Sequence, residues 1–182
     1  MVRYLFILLT LSCFACTPAE QEHVHGAPTH NFTVHRLLII NDQNEMLMMR
    51  EQHVWAPPSH LFDQRQYIRE GLDSLAAAYG VTISTPQLRG QFSFKYDYHP
   101  YATIRNYYVA RYESGTLQIP PGEDEAQWVP VPEAIARNSV TAIKQICDQI
   151  VSNPDAVWGG SFMVSHVGDD HPTEMVGGFY PL

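Results

Sequence analysis

Two sets of side chains in this sequence are of the right type and spacing to do chemistry. Asp63, Glu70 and Asp73 lie in a stretch with apolar residues at helical intervals, and Glu123, Asp124 and Glu125 follow one another in a later acidic loop. Such oxygen donors suit hard divalent cations, Mg or Mn, which polarise a phosphoryl group and activate water. The plainer reading of the same acids is a solvated helix face and a surface loop. Arg50, Trp55, Arg89, Lys95 and Arg105 form the second set, in which guanidinium and ammonium groups attract anions and the indole stacks on a flat ring. These five are the candidate ligand contacts, and no residue is assigned a catalytic role. His23, His25 and His30, and later His166, Asp169, Asp170 and His171, have the donors for Zn or Cu, but read as a solvated linker and a surface loop.

The elements that must position these groups can be read from periodicity. Ile68, Leu72, Leu75 and Tyr79 predict one apolar face of a helix over residues 63–79, with Asp63 as its N-cap. Residues 32–40 read as a buried strand, with a turn at 41–44 and a returning strand at 46–50 that ends on Arg50. Leu88, Gly90, Phe92, Phe94, Tyr96 and Tyr98 alternate with polar residues, and 104–112 supplies an antiparallel partner. A short Pro-led helix at 132–138 follows. A longer helix at 139–152 then carries the stripe Val140, Ile143, Ile146, Cys147 and Ile150. Residues 153–182 shift toward Gly, Pro and aromatics, and their aromatic rings read as anchors onto the domain.

Residues 55–81 resemble the Nudix box, a Pro-Gly-Gly loop opening G-x5-E-x7-R-E-U-x-E-E-x-G-U, in which U is apolar. Pro57-Pro58-Ser59 fall on Pro-Gly-Gly, Leu75 and Val81 on the apolar positions and Gly80 on the closing glycine, without insertion or deletion. The ligands do not follow. Arg65 stands at the first glutamate, Asp73 and Ser74 replace the Arg-Glu pair, and Ala77 and Ala78 replace the paired glutamates. The resemblance spans about residues 33–152 and implies an α+β fold, a Nudix-like α/β/α sandwich with a mixed sheet. It also implies a strand-end basic residue, here Arg50, facing substrate phosphates.

The chain has 182 residues, 45% apolar and 16% charged, which suits one domain with a core of its own. A formal charge of −8 with 11 Lys plus Arg excludes a broad nucleic-acid footprint. Arg3, an apolar run at 4–11 and Ala15 before Cys16 resemble a bacterial lipoprotein signal. Cys13 after Ser12 is the competing processing site. Acylation of Cys16, by palmitate among other chains, leaves 17–31 as a flexible tether from a bacterial membrane. Thr17 after the cysteine favours the outer membrane, facing the periplasm. Cys147 then remains as a buried structural thiol. The expected organisation is a signal peptide at 1–16, a tether at 17–31, a Nudix-like domain at 32–152 and an extension at 153–182.

Two functions fit these residues. The first is a non-catalytic binding module at the cell envelope, needing no cofactor, for a small anionic molecule or an envelope protein. The second is a divergent hydrolase of a phosphate anhydride in a nucleoside diphosphate-linked compound. It would use Mg or Mn on relocated ligands drawn from Asp63, Glu70, Asp73, Glu123, Asp124 and Glu125.

Overall fold

The computed structural model describes residues 32–61, 66–168 and 171–182. The leader with Cys16, the His-containing tether, Asp63, Arg65 and the Asp169-Asp170 pair lie outside them. In chain order the described elements are β1 (Phe32–Ile40), β2 (Glu45–Glu51), β3 (Val54–Ala56), β4 (Ser59–Leu61), α1 (Ile68–Ala78) and β5 (Val81–Ile83). They continue with β6 (Gln87–Tyr96), β7 (Ala102–Gly115), β8 (Glu125–Pro130), α2 (Val131–Arg137), α3 (Thr141–Ser152), β9 (Trp158–Val164) and β10 (Thr173–Pro181).

The strands order as β10-β9-β6-β7-β1-β2-β3, with β4 on β1, β5 on β7 and β8 on β2. β1 runs parallel to β7 along its whole length and meets β2 in register only at Ile40 and Met46. The expected hairpin therefore opens immediately after its turn. Asn41 holds that turn, its Oδ1 accepting from Gln43 N at 3.0 Å and Glu45 N at 2.9 Å.

Side-chain alternation divides the core between the two faces of the sheet. Leu37, Ile39, Leu47 and Met49 meet Leu72 and Ala76 of α1 on one face. Leu38, Met46, Met48, Phe92, Phe94 and Tyr107 meet α2 and α3 on the other, where Ile143, Ile146, Cys147 and Ile150 are buried as a stripe. Burial pushes the Cys147 thiol up to about 12, so it stays protonated and serves as packing.

One expectation is corrected here. The first helix starts at Ile68 rather than at residue 63, because Glu70 closes a cap there, its carboxylate accepting from Tyr67 N at 3.1 Å. Ile68, placed on the apolar face by its spacing, lies in this first turn and is 44% exposed. Residues 153–182, to which the sequence assigned no elements, continue the main sheet: β9 pairs parallel with β6 and β10 antiparallel with β9. Phe162 stacks on Phe94 at 4.9 Å, and Phe179 meets Phe92 edge-on at 6.0 Å.

Candidate functional site

The closing glycine of the box has a structural reason to persist. Gly80 has φ +73°, and a Cβ there would lie 2.3 Å from the carbonyl oxygen of Thr116, so only glycine fits. Leu75 packs against the α1 core and Val81 is buried within it. Scaffold positions of the box are thus filled by residues that the fold requires. Its ligand positions are different: Ser74, Ala77 and Ala78 are all exposed on α1 and offer one hydroxyl and no carboxylate.

Of the acids that could substitute, four among the described residues have engaged carboxylates. Glu70 caps α1, and Asp73 takes Arg69 Nε at 2.7 Å one turn along the helix. Glu125 receives both Nε and Nη2 of Arg50 at 3.1 Å. Glu123 accepts from the Tyr79 hydroxyl at 3.3 Å, and burial raises its carboxyl above the usual range. Asp124 is exposed, its backbone N–H donating to Arg50 O at 2.8 Å. Among the described residues, no three His, Cys, Asp or Glu side chains converge as a metal site would require. The described residues at the box's ligand positions therefore supply no carboxylate to the divalent cation that the box implies.

The five candidate ligand contacts separate into four places. Arg50 and Trp55 are register partners on β2 and β3, with the guanidinium carbon 5.8 Å from the ring centroid. Arg137, which sequence reading did not single out, also lies over that ring at 5.0 Å. Arg137 donates to Gln127 at 2.9 Å, and Gln127 donates to Glu125, which closes a polar chain back to Arg50. Ser139, between α2 and α3, fixes the Trp55 backbone through its Oγ at 2.9 Å and its N–H at 3.0 Å. The result is a half-buried indole bordered by two cations, suited to a flat anionic molecule.

Arg89 is elsewhere, beside Arg111, Asn41 and Ser84 on a groove of about 490 Å³ at the Ile40 end of β1. Lys95 is exposed on the α1 side of the sheet. Arg105 belongs to the opposite side, over the ring of Phe94 at 3.7 Å.

β1 also buries a polar pair, His35 and Arg36. His35 is 1% exposed, stacked on Tyr108 at 5.4 Å and on His60 at 5.7 Å. Burial, then the neighbouring His60, lower its imidazole to about 4, so it is neutral at pH 7. Arg36 is 7% exposed and donates through Nη1 to Pro57 O at 2.5 Å, joining β1 to the loop of the box. The available signal was two ionisable residues inside the apolar run FTVHRLLII.

Similar solved structures bring a family into view. A mutator MutT protein from Bacillus halodurans superposes at TM-score 0.66, 16% identical over 79% of this chain and 97% of that one. A MutT protein from Methanosarcina mazei gives 0.59 at 15% identity, covering 71% of this chain and 99% of that one. A Nudix hydrolase from Nitrosomonas europaea gives 0.57 at 13% identity, covering 68% and 90%. No family model matches the chain, and no curated protein matches it in sequence. The likeness is one of fold: a Nudix-like α+β sandwich around a mixed sheet.

Proposed function

We propose that this Nudix-fold chain is a non-hydrolysing binding module for a small anionic molecule with a flat ring, carried at a bacterial envelope on a lipidated Cys16. One observation carries the reading. Ser74, Ala77 and Ala78 stand exposed on α1 where a Nudix hydrolase presents metal-binding carboxylates, while nearby acids are engaged in a cap, ion pairs or a tyrosine hydrogen bond. Hydrolysis of a phosphate anhydride by this route needs hard cations held by several oxygens, and this helix supplies none at those positions. What the chain retains is recognition chemistry: Trp55 with Arg50 and Arg137 above its ring.

The test has two arms. Purified full-length protein with Mg or Mn should release neither phosphate nor pyrophosphate from nucleoside diphosphate-linked compounds. A thermal-shift screen of anionic ring compounds should give a ligand that adds about 2.7 kcal/mol of stability at 100 times its dissociation constant. Trp55→Ala should abolish that gain. Sustained metal-dependent turnover, lost in Glu70→Gln, Asp73→Asn or Glu123→Gln, would instead establish the relocated-ligand hydrolase.

A further inference from the structure

Two arginines share the face of the sheet that α2 and α3 cover. Along the parallel β1–β7 pair, Arg36 is opposite Tyr107 and Val34 is opposite Arg105, so the two guanidinium-bearing residues are diagonal neighbours flanking the Tyr107 position. Arg36 is almost wholly buried and donates to Pro57 O. Its Nε, shielded from solvent, has no acceptor. Arg105 is half-buried, its Nη2 donating to Tyr96 Oη at 3.3 Å, and its shielded Nε also lacks an acceptor. Between them Tyr107 is completely buried, its hydroxyl beside the Arg36 guanidinium, and its own proton has no acceptor.

Among the described residues, no carboxylate forms an ion pair with either arginine. The ion pairs among the described residues are Arg50–Glu125, Arg69–Asp73 and Arg137–Glu133, none involving Arg36 or Arg105. Taking a cation out of water costs several kcal/mol unless a partner of opposite charge accompanies it. An arginine cannot avoid that cost by giving up its proton. The ring of Phe94 compensates Arg105 in part, at 3.7 Å, but no aromatic face does so for Arg36. A second cation on the same face adds repulsion.

We propose that this pair is a binding site for the oxyanion of a small molecule, a carboxylate or a phosphate, held by Arg36 and Arg105 with the Tyr107 hydroxyl as third donor. Guanidinium groups bind such oxyanions through paired, charge-assisted hydrogen bonds, which are the contacts that the two Nε atoms lack. The partly exposed Arg105 marks the open side and Arg36 the closed end. The site is separate from the Trp55 cluster and goes beyond the ligand-binding reading above. It does not depend on the absence of hydrolysis.

The experiment measures anion binding alone, with no metal and no turnover. Thermal unfolding of the purified full-length chain is followed at matched ionic strength in chloride, inorganic phosphate or acetate, for the natural sequence, Arg36→Met and Arg105→Met. Phosphate or acetate should raise the melting temperature above chloride and saturate. A response to phosphate alone assigns a phosphate ligand, and one to acetate a carboxylate. Arg36→Met should be as stable as the natural chain in chloride, or more so, and its apparent affinity for the anion should fall at least tenfold. Arg105→Met should lower that affinity too, and decides the question should Arg36→Met not fold. The site is overturned if neither anion outperforms chloride. It is also overturned if the variants keep the full response, even when Arg36→Met is destabilised, because Arg36 is then a structural residue.

Discussion

At the scale of single residues, polar side chains placed inside apolar strands matter most. His35 is held neutral, with its imidazole lowered to about 4 against an ordinary 6.5. Between those values the unfolded chain binds the extra proton, so stability is full above about pH 6.5 and falls as the pH drops toward 4. The expected loss is on the order of 2–3 kcal/mol, and His35→Phe, which keeps a ring against Tyr108, should flatten this part of a stability-versus-pH curve. An unchanged slope would remove His35 from that role. The empty ligand positions of the box were legible from residue type alone, since its lengths fix the register. The burial of His35 and Arg36 was not, because it depends on β1 pairing in parallel with β7, some 70 residues later in the chain.

Among the elements, those whose apolar pattern faces one layer were legible. The alternation marked the buried Gly90, Phe92 and Phe94 of β6, and the stripe marked the buried face of α3, whereas Leu88, before a register shift, and Tyr98, past the strand end, are exposed. The start of α1 was missed because a glutamate reaching back to Tyr67 overrides the propensity of the preceding residues. β9 and β10 were missed because glycine- and aromatic-rich segments resemble loops, yet here glycine is what close packing demands. Gly90 of β6, opposite Trp158 of β9, shows the same demand. A Cβ on it would lie 2.5 Å from the buried ring of Phe92 and 3.1 Å from Ile150. Gly90→Ala should therefore cost about 1–3 kcal/mol in chemical denaturation, as overpacked cores do. A change below about 0.5 kcal/mol, as at surface sites, would mean that the ring moves aside freely.

For the whole molecule, the proposed anchoring at Cys16 would suspend the domain from lipid. A coil of fifteen residues spans roughly 20 Å on average, enough to clear the headgroups without fixing an orientation. Cys16→Ser should shift the protein from the membrane to the soluble fraction, and mass spectrometry finding an unprocessed Met1 terminus would sink the anchoring proposal. No helix among the described residues is long and apolar enough to cross a membrane. Chains tethered to one surface meet their neighbours far more often than free ones, which turns attention to the outer edge of the sheet. β10 forms that edge, and its register breaks between Val176 and Tyr180 around Gly177 at φ +85°, with Pro181 at its end. A broken edge cannot offer an unbroken row of backbone donors and acceptors to the same edge of another copy. On an anchored protein, the irregularity in β10 would let many copies crowd together without zipping into a continuous sheet.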